Sequence, residues 1–145
     1  MITYDVESIS HLIQNRRTLY PIQYDTERAV PKPVIEAMLE NANWAPTHGL
    51  TEPWRFKVYA GERTGELAQW QANKYKALTP EADFKQSKYN KTLKRGEQAS
   101  HIIVIMMKRD PKRKIRAIEE IEATAIAVQN MALTAFAHGV EIGRA

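Results

Sequence analysis

Apolar positions recur at helical spacing in some stretches of the chain and in unbroken or alternating runs in others. In residues 6–15, Ile9, Leu12 and Ile13 fall on one face of a short helix, with Ser8 or Ser10 available to cap it. Residues 19–30 carry neither period and read as irregular. Pro31 and Pro33 open a second helix, since a proline in the first turn forfeits no helical hydrogen bond. It runs to about Trp44, with Val34, Ala37, Met38, Asn41 and Ala45 on one face. Pro46 ends it by pushing the preceding residue out of helical angles. Residues 54–60 alternate apolar and charged side chains, the period of a strand. Gly61 and Gly65 bracket the next start, a helix over Glu66 to Leu78 that Pro80 stops. A polar helix over Ala82 to Arg95 follows, with Gly96 as its stop signal. The continuous apolar run His101 to Met107, rich in β-branched residues, predicts a central strand buried on both faces. The longest helix covers Ile115 to His138, with Ile118, Ile121, Ala125, Val128, Ala132 and Ala135 at three- and four-residue spacing. Ile126, Met131, Leu133 and Phe136 widen its apolar surface almost all round. Such a helix crosses a domain centre or pairs with a second copy. Glu119, Glu120 and Glu122 sit in its first turns, where the helix dipole favours them, and Gly139 ends it.

At 145 residues the chain is expected to form a single domain, 1–145, with one core. No apolar run approaches the ~20 residues needed to span a bilayer. The first residues lack the basic and apolar regions of a signal peptide, so a cytoplasmic location is the expectation. Without cysteine there are no disulfides, thiolate metal sites or cysteine nucleophiles. The four histidines, at 11, 48, 101 and 138, have no metal-ligand spacing. The net charge of +4 comes with two basic stretches, Lys85 to Arg95 and Lys108 to Arg116. Both read first as solvated surface. No aromatic residues interleave the second, which argues against a nucleic-acid stacking platform. Phosphate-loop, dinucleotide and nucleophile-elbow signatures are absent.

Two segments carry candidate chemistry. Arg16-Arg17-Thr18 follows the first helix. A guanidinium can hold a phosphate through two parallel hydrogen bonds, and a hydroxyl adds another donor. The same arginines would also suit the negative end of that helix. Ala45-Pro46-Thr47-His48-Gly49 is a turn between two packed elements, a place to display backbone amides and short polar groups to a planar, anionic ligand. It is equally a plain helix stop, with Gly49 supplying permissive angles. Trp44 and Trp54 flank it and are expected in the core.

In this order and spacing, these pieces resemble the nitroreductase family of FMN-dependent oxidoreductases. The resemblance rests on Arg16-Arg17-Thr18, the stretch from Ala42 to Thr47 running on to Glu52-Pro53-Trp54-Arg55-Phe56, Ala99-Ser100-His101 entering an apolar strand, and Val128 to Leu133 on the long helix. It implies an α+β fold, a mostly antiparallel central sheet flanked by helices, in an intertwined homodimer with FMN at the interface. It further implies that NADH or NADPH reduces the flavin, which then reduces a nitroaromatic, quinone or similar acceptor. Carried over, Arg16 would hold the FMN phosphate, and Arg17 and Thr18 would contact phosphate, ribityl chain or ring. Thr47, His48 and Gly49 would line the ring from the partner subunit. Tyr20 stands where many relatives place a basic residue near the pyrimidine edge, and Arg95 is a candidate to stabilise negative charge on the reduced flavin. Glu52 stands where relatives often have glutamine and would need a partner, for which Arg55 is near in sequence. Relatives continue past the long helix, whereas this chain stops at Val140 to Ala145. That C-terminal shortening implies weakened FMN binding and redox control. The alternative it leaves is a non-catalytic flavin-binding or dimerisation remnant of the family.

Overall fold

The computed structural model describes residues 3–143. Met1 and Ile2, and the final Arg144 and Ala145 where the chain was noted to stop, lie outside the described residues. The elements run α1 (Val6–Asn15), α2 (Lys32–Ala42), β1 (Trp54–Ala60), α3 (Glu62–Leu78), α4 (Gln86–Gln98), β2 (His101–Met107) and α5 (Ala117–Ala137). Single 3-10 turns lie at Pro21–Gln23, His48–Leu50 and Glu81–Asp83. β1 and β2 pair as a two-stranded antiparallel sheet among the described residues, giving an α+β fold. No described helix is long and apolar enough to cross a membrane.

The chain divides into two compact units. The first comprises Met1–Leu19, Pro31–Phe56 and Ile105–Ala145. Its centre is α2 on α5. Ile35, Met38 and Ala42 are buried on α2, and Ala123, Ala127, Met131, Ala132 and Ala135 on α5. Asn41 and Asn130 add polar ties: Asn41 Nδ2 donates to Thr134 Oγ1 at 2.9 Å, and Asn130 Nδ2 to the Asn41 carbonyl at 3.1 Å. The buried face of α5 is not the one its large residues suggest. Ile118, Ile121 and Ile126 point outward and remain 40–51% exposed. Alanines face α2 instead, because small side chains let two helix backbones approach closely. On α1, Ile9 and Ile13 are likewise open, and no residue is fully buried. Its cap is Asp5, which accepts the Glu7 N–H at 3.1 Å, rather than Ser8 or Ser10.

The second unit comprises Tyr20–Val30 and Lys57–Val104, centred on α3 and α4. Of the glycines read as punctuation in this unit, Gly61 caps α3 as expected, whereas Gly65 lies inside α3 and Gly96 inside α4. A Cβ on Gly96 would stand 2.5 Å from Ala68 Cβ and 2.8 Å from the Thr64 carbonyl oxygen. The glycine is therefore there for contact, and Thr64 Oγ1 uses that closeness to donate to the Gly96 carbonyl at 2.8 Å. β2 also departs from expectation. Its residues are half-buried or exposed, Ile105 and Met106 each 43% so, because among the described residues it has a strand neighbour only in β1.

Candidate functional site

The segment joining α2 to β1 is pinned at both ends and open between. After α2 the chain tightens through turn bonds from the Asn43, Trp44 and Ala45 amides to the Glu40, Asn41 and Ala42 carbonyls. Ala45, Pro53 and Trp54 are buried, and Trp54 Nε1 donates to Asn43 Oδ1 at 3.0 Å. Trp44, expected in the core, is instead 77% exposed, its Nε1 donating to Glu40 Oε1 at 3.3 Å. Between the pins, the Thr47 hydroxyl lies 3.1 Å from that of Thr51 and accepts the Glu52 N–H at 3.3 Å. The loop is strained. Gly49 has φ +64°, which glycine tolerates, but Leu50 at +53° and Glu52 at +40° are left-handed without that freedom. Left-handed non-glycine residues cost on the order of 1–2 kcal/mol each, and such strain gathers at functional sites. Gly49 sits over the Ile115 side chain, a Cβ there meeting Ile115 Cδ1 at 3.5 Å.

α5 holds this loop through charge. His48 Nδ1 lies 2.7 Å from Glu119 Oε2, and the other carboxylate oxygen accepts from Arg116 Nε at 2.8 Å. The Arg116 bond first, and His48 second, keep the Glu119 carboxyl below its ordinary value of 4.5. A depressed folded value means the attraction is in force above the ordinary value. It is lost as pH falls through the lowered one, so acid weakens this clasp. One residue on, Glu120 is fully buried. Its carboxylate takes Arg109 Nε and, at 2.7 Å, the Asp110 N–H, while Arg109 Nη2 donates to the Ile115 carbonyl at 2.9 Å. This network fixes the connection from β2 to α5 on which Gly49 rests. Reading Glu119 and Glu120 as helix-dipole residues missed both roles. No sequence signal could have paired Glu119 with a histidine 71 positions away.

The other predicted residues lie elsewhere. Arg17 does what the helix-end reading allows, its Nη1 donating to the Gln14 and Arg16 carbonyls. The Arg16 guanidinium has no carboxylate partner among the described residues. Thr18 forms a parallel bridge with Ile142, just past the end of α5. The arginine segment is therefore at the C-terminal end of α5, whereas His48 is at the N-terminal end. A helix of 21 residues separates them by about 30 Å, further than one mononucleotide spans. Tyr20 and Arg95 belong to the second unit, both exposed. Glu52 is exposed too. Arg55 does not pair with its carboxylate but donates to the Glu52 and Trp54 carbonyls at 2.7 and 2.6 Å. The donor chemistry suits a flavin nucleotide, with an unpaired guanidinium for phosphate and hydroxyl, imidazole and strained backbone for a ring. Within one chain these groups do not meet.

Comparison with known proteins bears on this arrangement. The sequence profile of the Nitroreductase family matches residues 13–143. The chain is 29% identical over 132 residues to YfhC of Bacillus subtilis (strain 168); the match covers 89% of this chain and 64% of that protein's length. A nitroreductase-like family protein from Bacillus cereus is 32% identical, with a TM-score of 0.72 over 96% of this chain and 68% of the other. The FMN-dependent nitroreductase NfnB from Mycobacterium smegmatis, solved in complex with NADPH, shares the fold at 21% identity. Its TM-score is 0.66 over 92% of this chain and 72% of its own.

Proposed function

The chain belongs to the nitroreductase family, and from that membership we propose that it is an FMN-dependent oxidoreductase passing electrons from NADH or NADPH to a nitroaromatic, quinone or similar acceptor. The observation that carries this reading is the family match across nearly the whole chain, in which both candidate segments fall. When bound, FMN would supply the two-electron relay between nicotinamide and acceptor. The protein's part is to hold and orient it. Arg16 would grip the phosphate. Thr47, His48 and Gly49 would border the ring.

Because the two segments lie at opposite ends of α5, one chain offers only half a site at either end. Two copies with their α5 helices running in opposite directions would bring the Arg16 end of each to the His48 loop of the other. The outward Ile118, Ile121 and Ile126 on α5 and Ile9 and Ile13 on α1 are apolar surface for such a pairing. A homodimer with two FMN sites is thus part of the proposal.

Flavin uptake tests it directly. Purified protein is titrated with FMN and followed by quenching of flavin fluorescence. Arg16→Ala is expected to weaken binding about tenfold or more, the loss of a charged bidentate contact. Lys112→Ala, in the exposed basic turn, should stay within about twofold. Equal affinities in the two variants would remove Arg16 from the phosphate, and no uptake by the unaltered protein would remove the function.

A further inference from the structure

His48 is more than a residue of the loop. Its imidazole is 65% exposed, and its Nδ1 is taken by Glu119, which Arg116 holds from the other side. Nε2 has no partner among the described residues. Exposed ion pairs add little stability, since solvent screens them and the side chains must be ordered. What this three-residue arrangement does supply is a fixed ring. The neutral imidazole carries its proton on Nδ1, and Nε2 is directed away from Glu119 with its lone pair free. Protonated, the same ring presents an N–H at Nε2. The charged groups near it are Glu119 on α5, Arg116 at the N-cap of that helix, Glu122 acting on Arg116, and Glu52 in its own loop.

Two-electron reduction of a quinone or nitro group needs more than a hydride. A quinone that gains one hydride equivalent must also gain one proton to become the hydroquinone. A nitro group likewise takes one hydride and one proton in becoming nitroso with loss of water. Resting on the flavin reading above, we propose that His48 is the source of that proton, with Glu119 and Arg116 as the residues that position its ring. In the step, the acceptor is reduced by hydride from the reduced flavin while the Nε2–H bond of the imidazolium breaks. The proton joins the acceptor oxygen and the electron pair stays on Nε2. Solvent reprotonates the exposed ring afterwards. Only the imidazolium, with its proton on Nε2, is competent in this step.

The test has two arms. In the flavin-free protein, ¹⁵N-histidine NMR above neutral pH is expected to show His48 as the Nδ1–H tautomer, reverting to Nε2–H in Glu119→Ala. In the FMN-loaded protein, pre-reduced and mixed with an acceptor, His48→Gln is expected to slow reduction of benzoquinone about 100-fold, within the range of general acid catalysis, and to abolish its pH dependence. It should slow reduction of hexacyanoferrate(III) far less, since that acceptor takes electrons without a proton. A merely structural role would slow both acceptors alike. Equal slowing, no slowing, or an Nε2–H tautomer in the unaltered protein would overturn the proposal. Failure to load FMN would instead overturn the function it rests on, and this role with it.

Discussion

Glu120→Ala is expected to lower the free energy of unfolding by about 4 kcal/mol in urea denaturation. The carboxylate is completely buried, and it faces a guanidinium and a backbone N–H that have been taken from water to meet it. Removing it leaves the Arg109 charge short of its counterion and the Asp110 amide without an acceptor, and unpaired buried groups are what make such deletions severe. Arg109 is about one-third exposed and can recover part of its hydration, which is why the top of the usual range is not expected. Glu120→Gln keeps the shape and one acceptor while losing the charge, and should cost roughly half as much. The exposed pair Lys32–Glu36 is the contrast: Glu36→Ala should stay within ~0.5 kcal/mol. A loss below about 1 kcal/mol for Glu120→Ala would mean that water enters freely and that the pair is not a buried one. The effect should reach beyond stability. The Arg109–Glu120 pair fixes Ile115, and Ile115 supports Gly49, so the loop proposed at the flavin ring loses its floor.

Gly96→Ala should be destabilising by about 2 kcal/mol, although alanine is the better helix former. Two effects compete. Helix propensity favours alanine by up to ~1 kcal/mol. Against it, the added methyl would stand 2.5 Å from Ala68 Cβ and 2.8 Å from the Thr64 carbonyl, inside any permitted contact. α3 and α4 must then move apart, and overpacking of that kind costs about 1–3 kcal/mol. The separation also lengthens the Thr64–Gly96 hydrogen bond. Ala68→Gly combined with Gly96→Ala should restore part of the loss, since one of the two clashes disappears; the Thr64 carbonyl keeps the other. Thermal unfolding of the two single variants and the double variant reads this coupling. A Gly96→Ala protein as stable as the parent would show that the helices slide apart without penalty.

Elements whose residues differ sharply in polarity were legible from sequence. Both strands fall where alternation and the apolar run place them, and the prolines at 31 and 33 mark the start of α2 as expected. Legibility failed where packing depends on size rather than polarity. On α5 apolar residues surround the axis, so periodicity has little contrast; the buried face was chosen by small volume, which hydropathy does not register. Gly96 failed for the same reason. A glycine that ends a helix and one that admits a neighbouring helix are the same letter, and only the partner distinguishes them. Trp44 was assigned to the core on the habits of its residue type, but it lies where α2 has already unwound, on the outside of the turn. At the candidate site, Arg16 and the loop from Thr47 were found as chemistry, whereas Glu119 and Glu120 were not. Their partners are distant in sequence or are backbone groups, and a carboxylate near a helix start already had a sufficient explanation.

The placement of the two half-sites has a genetic meaning. If copies pair with α5 helices opposed, a chain damaged at Arg16 and another damaged at His48 spoil different ends of themselves. Joined in one mixed assembly, they concentrate both lesions in a single chamber and leave the second chamber wholly intact. Two alleles, each silent alone, would then complement one another within the same cell.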